Sequence, residues 1–413
     1  MIRNAILIFC LLVGLPTTAQ VRWDLATCIA FAKKNNIQVN TQRYNQQTAQ
    51  QNYYLSKSAQ LPSLSGSATQ YFQKHLNIGS YTLNTALTLY EGGYLQKDIR
   101  QKQLSLEAAN QNVMSTENDI TLNIIQYYLT ILLDKETAVY QQNVVNTSKA
   151  QLEQGEQKLA VGSVARKNVT QLRSQLANDE YSLISAENTI KQDLLSLKQL
   201  LQLPTEVQFE IATPDTIISK SEVPSLAAVQ EYALNNRPEV KENQLQIQVA
   251  QLGLAKAKAG YYPTLSVSGT IGSSYFNDIS GLGNGFYKQA GISLSVPIFS
   301  KRQNKTNIEN AKINIGQAQI NLNDTKTTLA ANIEKYYLNA INAQSQFTAA
   351  EQAFKYNEEV YNIANQELAL GMSNMVEYLQ QKELYVQALQ QFIQAKYNAA
   401  LTIKIYEFYY NQQ

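Results

Sequence analysis

The chain of 413 residues contains little of the chemistry that catalytic and metal-binding proteins need. It has two cysteines, Cys10 and Cys28, and one histidine, His75. Because Cys10 lies in an N-terminal apolar segment, no intrachain disulfide framework is expected. We find no cluster with metal-site spacing, no phosphate-binding loop and no catalytic triad. The sequence therefore predicts no cofactor, no metal and no enzyme activity.

Charge and long apolar runs are scarce as well. Charged residues make up 16% of the chain, and the formal net charge is +2. A near-neutral chain lacks the basic footprint of a nucleic-acid-binding protein, so no nucleic-acid partner is expected. After the first 19 residues, no apolar run is long enough for a transmembrane helix. If the protein enters a membrane, it must do so as strands.

The first 19 residues have the pattern of a secretory signal peptide. Arg3 supplies a positive charge, residues 5–15 are apolar, and Thr17-Thr18-Ala19 offers small residues before a cut ahead of Gln20. The apolar run is shorter than the roughly 20 residues that a membrane anchor needs. We therefore predict export and a mature chain of residues 20–413.

Proline and glycine are nearly missing from one long stretch. Between Lys301 and Leu370 there is no proline, and the only glycine is Gly316. A helix of this length would be roughly 100 Å long. Apolar residues recur along it every seven positions, which is typical of coiled coils. This apolar row consists of Ile308, Ile315, Leu322, Leu329 and Tyr336.

The sequence contains an internal repeat, in which the second half resembles the first. Pro62-Ser63-Leu64-Ser65 matches Pro263-Thr264-Leu265-Ser266, and Leu159-Ala160-Val161-Gly162 matches Leu368-Ala369-Leu370-Gly371. The pairs keep their order, with an offset that lengthens once between the strands. We predict one domain of two repeats, about 23–203 and 224–409, joined by a linker at 204–224.

Each repeat predicts the same order of elements. A short helix begins at Asp24 or Ser225, and a second helix ends before Pro62 or Pro263. Alternating apolar and small polar residues predict strands at 81–89, 265–272 and 290–298, with loops at 74–80 and 276–287. A long helix then ends at a glycine, and helices return over about 165–203 and 374–408.

Four strands with one apolar face leave two open edges. In lipid, each unpaired backbone group at such an edge costs several kcal/mol. The smallest closed membrane barrels have about eight strands. Strands from several chains would therefore have to form one barrel together. The pattern predicts a ring of chains in which a β-barrel continues into a tube of helices. The alternative is a secreted trimeric coiled coil with a structural or adhesive role.

The ordered set of motifs resembles a TolC-like outer-membrane factor of the outer-membrane efflux protein family. The resemblance rests on the duplicated plan, on Ser58–Pro62 and Ala257–Leu265 before the strands, on Pro297-Ile298-Phe299 at a strand-to-helix junction, and on Val161-Gly162-Ser163. It covers nearly the whole mature chain.

The resemblance implies a mostly α fold with a transmembrane β portion. Long helical hairpins would form an α-barrel joined to a twelve-strand β-barrel in a homotrimer in outer-membrane lipid. The tube would extend into the periplasm and meet a periplasmic adaptor (membrane fusion) protein and an inner-membrane pump of a tripartite efflux or type I secretion system. It would be a passive duct, and the exported cargo (drug, metal or protein) stays open.

The resemblance also implies site residues. Six turn residues are the candidates for adaptor docking: Val161, Gly162, Ser163, Leu370, Gly371 and Met372. An acidic ring that narrows the pore in relatives matches Glu377, while its next position is Gln380, which is not acidic. A solvated helix glutamate is the alternative for Glu377. Other closure contacts of the family are replaced here by Asn168, Leu368 and Ser373.

Overall fold

A computed structural model describes residues 22–74, 76–204, 206–214, 217–276 and 285–410. The predicted signal peptide and His75 lie outside these residues. Contacts divide the chain into two compact units. One comprises the chain up to Ala32 together with residues 126–217, and the other comprises residues 33–125 and 218 onward.

Helices make up most of the described residues. They are α1 (Leu25–Asn35), α2 (Ile37–Ser58), α3 (Tyr94–Ala160), α4 (Arg166–Leu200), α5 (Leu226–Asn236), α6 (Pro238–Ala259), α7 (Gln303–Leu370) and α8 (Met375–Tyr410). The long helix predicted from Lys301 is confirmed as α7, with 68 residues. Its predicted twin is α3, with 67 residues. None of the helices in the described part of the chain has the length and hydropathy needed to cross a membrane.

Local chemistry explains where the shorter helices begin. The Asp24 carboxylate accepts a hydrogen bond from the Thr27 N–H at 2.7 Å, as an N-cap should. Pro238 occupies the first turn of α6, where its missing N–H costs nothing. Ser225 precedes α5 as predicted, but its side chain makes no capping hydrogen bond.

The strands form two sheets. They are β1 (Arg22–Trp23), β2 (Ser63–Gln73), β3 (Leu76–Glu91), β4 (Glu210–Ile211), β5 (Thr264–Phe276) and β6 (Tyr287–Ser295). The larger sheet has the order β2-β3-β5-β6, and every neighbouring pair in it is antiparallel. Strands β1 and β4 pair in parallel. Every residue of β6 is exposed, and so is most of β2.

The predicted strand limits were wrong in two places. Residues 76–80 were predicted as loop, but they belong to β3, because β2 pairs with them on one side and β5 on the other from Ile78 onward. The last strand begins at Tyr287 and ends at Ser295 rather than spanning 290–298. Its last partner in β5 is Thr264, and the described residues that follow Ser295 pair with no strand. Most of the predicted loop 276–287 lies outside the described residues.

In the larger unit, the heptad row of α7 faces inward. Leu329 and Ile333 are buried against α5 and α8, and the Tyr336 ring stacks on Tyr409 with centroids 5.4 Å apart. The Tyr406 hydroxyl donates to the Pro224 carbonyl oxygen at 3.1 Å. Between Leu322 and Tyr336, the predicted coiled-coil face is therefore the packed face of the helix.

The smaller unit is built around Trp23 and Tyr128. The Trp23 ring meets Phe31 and Phe209 edge-on, at 4.8 and 5.6 Å. The Tyr128 hydroxyl donates to the Ala212 carbonyl oxygen at 2.6 Å. Cys28 is fully buried, and burial raises the pKa of its thiol to about 12. These contacts hold β4, which lies within the predicted linker, against the helices of this unit.

Candidate functional site: two helix turns and the start of the last helix

The turn between α3 and α4 is a complete helix C-cap. Gly162 has a φ of +74°, in the left-handed region. Its N–H donates to the Leu159 carbonyl at 2.9 Å, and the Ser163 N–H donates to the Lys158 carbonyl at 2.8 Å. These two bonds make a Schellman motif, which satisfies carbonyl groups that the helix end leaves free. The predicted capping role of Gly162 is thus confirmed.

The turn between α7 and α8 repeats this geometry. Gly371 also has a φ of +74°. Its N–H donates to the Leu368 carbonyl at 3.3 Å, and the Met372 N–H donates to the Glu367 carbonyl at 2.8 Å. Leu368, one of the departures from the family pattern, therefore contributes its backbone to the cap.

Both turns present apolar side chains to solvent. Val161 is 80% exposed, and Leu370 and Met372 are each 75% exposed. A Cβ added at Gly162 or Gly371 would meet no atom within 4 Å. Each turn is thus an open surface, with apolar groups that gain little from the packing of their own chain.

Glu377 stands in the first turn of α8, where the structure gives it a definite environment. Its N–H donates to the Asn374 side-chain oxygen at 2.9 Å, so Asn374 caps the helix. The Ser373 hydroxyl donates to the Glu377 carboxylate at 3.1 Å. A carboxylate here also interacts favourably with the helix dipole. Both Glu377 and Gln380 are exposed.

A comparison with known protein families decides the identity. The model described as "outer membrane efflux protein" matches residues 29–202 and 229–402. The chain belongs to the outer membrane efflux protein family. It is a channel of this family, located in the outer membrane and extending into the periplasm. This family consists of transport channels and is not an enzyme family, and the secreted coiled-coil alternative finds no support.

Individual relatives are distant but cover most of the chain. Toxin and drug export protein A of Aggregatibacter actinomycetemcomitans is 22% identical over 82% of this chain and 75% of its own length. Cation efflux system protein CusC of Escherichia coli O157:H7 is 26% identical over 72% of this chain and 66% of its own length. The solved CmeC outer membrane channel of Campylobacter jejuni has the same fold. Its TM-score is 0.80 at 19% identity, covering 92% of this chain and 84% of that one.

Beneath its second turn, this efflux-family chain has an aromatic stack that the sequence reading missed. The Tyr361 hydroxyl lies 3.1 Å from that of Tyr378, which is fully buried. The Tyr361 ring stacks on Tyr385 at 4.8 Å, and Phe354 stacks on Phe392 at 5.2 Å. The signal was present, since these aromatics recur every seven residues on both helices. The stack holds α7 and α8 together up to the turn.

The first turn is supported by different groups. Val169 and Leu172 are buried beneath it, and Leu172 lies close to Gly155 of α3. The Arg173 guanidinium pairs with Glu156 at 2.7 Å. Asn168, another departure from the family pattern, is half-buried in the first turn of α4. The two turns therefore share their backbone geometry but not their side-chain support.

Among the residues that the structure describes, no group of three or more His, Cys, Asp or Glu could hold a metal ion.

Proposed function

We propose that this efflux channel is a homotrimer whose chains each contribute four strands to one closed β-barrel in outer-membrane lipid. Two features support this. In the order β2-β3-β5-β6, β2 and β6 each have one free edge. Leu64, Phe72 and Ile292 are 77%, 83% and 76% exposed, as lipid-facing side chains would be. Closure with neighbouring copies would satisfy both edges.

We also propose that the chain is one channel domain of two repeats, 23–203 and 224–409, after removal of residues 1–19. Helix lengths support the duplication. The paired helices have 11 and 11, 22 and 22, 67 and 68, and 35 and 36 residues. The segment 204–224 would serve as the linker between the repeats.

Each of the two helix turns is a proposed docking surface for a periplasmic adaptor. The observation that carries this is the exposure of Val161, Leu370 and Met372 beside left-handed helix caps. Such apolar side chains at a helix tip would be covered by a partner's apolar surface. An inner-membrane pump coupled through that adaptor would supply the energy, and the channel would act as a passive duct.

The docking proposal is tested by two variants of one residue. Gly371→Leu places a bulky side chain on the turn, whereas Gly371→Asn keeps a residue that adopts the left-handed conformation. With both proteins present as folded channels in the outer membrane, we expect Gly371→Leu to lose efflux and adaptor cross-linking. Gly371→Asn should keep most of both. Normal efflux by Gly371→Leu would refute docking at this turn.

Glu377 is the proposed residue that narrows the pore, and Gln380 lies one turn further along α8. Three copies of an exposed carboxylate near a common axis would favour cations and repel each other. We expect Glu377→Ala to change single-channel conductance and to weaken block by divalent cations. The matched control is Glu383→Ala, another exposed glutamate of α8. Unchanged conductance and unchanged block in Glu377→Ala would leave Glu377 as an ordinary solvated helix glutamate.

The cargo class stays open among drug, metal and protein, and the names of two relatives illustrate the range. One relative is a toxin and drug export protein, and another belongs to a cation efflux system. With four methionines and one histidine in 413 residues, this chain offers few soft ligands for metal ions. Composition thus favours organic or protein cargo over metal ions. Resistance profiles of a deletion strain complemented with this channel would separate the classes.

A further inference from the structure

We propose that the seam between two copies of this chain repeats the register of the seam inside it. Residues 296–300 of one copy would then form a strand against Ser63–Gly66 of the next. The inference rests on the proposed trimer and deepens it, because it states which residues of the second copy complete each free edge. It follows from the internal duplication combined with the observed strand pairing.

The chain already contains one junction of the required kind. Strand β3, the last strand of the first repeat, pairs with β5, the first strand of the second repeat. In a ring, the next such junction joins β6, the last strand of the second repeat, to β2 of another copy. If the repeats are equivalent, the two junctions should share one register.

Sequence offsets translate one junction into the other. The match of Pro62 to Pro263 sets an offset of 201 for β2 and β5, and the match of Tyr90 to Phe299 sets 209 for β3 and β6. Within the chain, Ala86 pairs with Ser268. Adding 209 to 86 and subtracting 201 from 268 places Ser295 opposite Ser67 of the neighbour.

The same translation applies to the end of the strand. Within the chain, Tyr90 pairs with Leu265. Adding 209 to 90 and subtracting 201 from 265 places Phe299 opposite Leu64 of the neighbour. The seam would therefore extend past Ser295, where β6 now ends.

The unpaired end of β6 is an independent observation that fits this seam. Strand β3 remains paired down to Glu91, whereas β6 stops at Ser295. The residues after it are strongly exposed: Val296 56%, Ile298 95% and Phe299 83%. Because β3 has a register shift between Thr88 and Tyr90, a bulge is expected at the corresponding place, next to Pro297. Proline is tolerated at such bulges.

The backbone after the strand supports the equivalence of the two junctions. Gly92 and Gly93 have φ values of +58° and +73°, and lead from β3 into α3. At the same offset, Lys301 and Arg302 have φ values of +47° and +71°. Residues other than glycine rarely adopt this left-handed backbone conformation. Lys301 and Arg302 nevertheless keep the left-handed conformation of Gly92 and Gly93. The turn after β6 therefore has the same backbone geometry as the turn after β3.

One ion pair between helices at the seam inside the chain has no counterpart at the proposed seam between copies. Inside the chain, Lys256 of α6 pairs with Asp98 of α3. The corresponding positions at the seam between copies are Leu55, which is 70% exposed, and Asn307. This ion pair would therefore contribute nothing to the register between copies, whereas the strand pairing would.

Disulfide cross-linking tests the register. In the full-length channel purified from outer membranes, Ser295→Cys is combined with Ser67→Cys, or with the control Ser65→Cys, which lies two residues away on the same face. Directly opposed Cβ atoms lie about 4.5–5.5 Å apart and diagonal ones about 7–8 Å, and only the former approach disulfide geometry. The parent protein, with buried Cys28 as the only cysteine after the predicted cut, is the background control.

With a mild oxidant, we expect the 67/295 variant to give about tenfold more interchain cross-linked product than the 65/295 variant. Stronger linking of 65/295, or no linking of either pair in a protein whose native mass is that of a trimer, would overturn the register while leaving the trimer intact. A native mass equal to that of a monomer would overturn the proposed trimer itself. The two failures are thus distinguishable.

Discussion

Two glycines of α7 allow a sharp test of backbone control. Gly371 caps the helix just after its last residue with a φ of +74°, and Gly316 lies in the helix interior, 13 residues after Gln303. An added Cβ meets nothing within 4 Å at either position. Replacement by alanine therefore introduces no clash at either site, and the two variants differ in what the backbone demands.

The expected effects have opposite signs. At Gly371, alanine must hold a left-handed conformation, which costs roughly 1–2 kcal/mol. At Gly316, alanine replaces glycine in a helix interior, which stabilises by roughly 0.5–1 kcal/mol. The free energies of unfolding of the two variants should thus differ by about 2 kcal/mol.

The measurement is denaturant unfolding of the purified channel, followed by helical circular dichroism. Gly371→Asn serves as a further comparison, because asparagine tolerates the left-handed region, and it should lose less stability than Gly371→Ala. If Gly371→Ala were as stable as the parent, or if Gly316→Ala were equally destabilising, the assignment of Gly371 as a cap that requires glycine would be refuted.

Two further predictions concern side chains inside the hairpins. Burial, with the Asp193 carboxyl beside it, raises the pKa of Asp134 from 3.8 to about 7. Because the folded state holds this proton more tightly, stability should fall by about 1–2 kcal/mol as pH rises from about 4 to 7, allowing for partial solvent screening. Asp134→Asn should flatten this dependence in pH-dependent unfolding, while the exposed control Glu187→Gln should follow the parent. Separately, Tyr378→Phe removes the hydroxyl contact with Tyr361 and should cost about 1 kcal/mol. Urea unfolding would show this against Tyr356→Phe, an exposed tyrosine expected to be neutral.

The sequence alone determined the helices, because their signals are local. A proline-free stretch with heptads predicted α7 to within two residues of its start, and Gly371 was predicted as its cap from position alone. Such features depend on backbone preferences and on residues a few positions apart, which the sequence displays directly. The family also followed from ordered local motifs.

The tertiary structure alone decided the limits of the strands and the surroundings of the site. Residues 76–80 became strand because of hydrogen bonds to β2 and β5, the latter almost 200 positions away. Likewise, the hydrogen bond from the Tyr406 hydroxyl to the Pro224 carbonyl oxygen joins residues 182 positions apart. Pairing between distant segments leaves no local signal in the sequence. The two open edges were expected from the strand count, but their assignment to β2 and β6 came only from the folded chain.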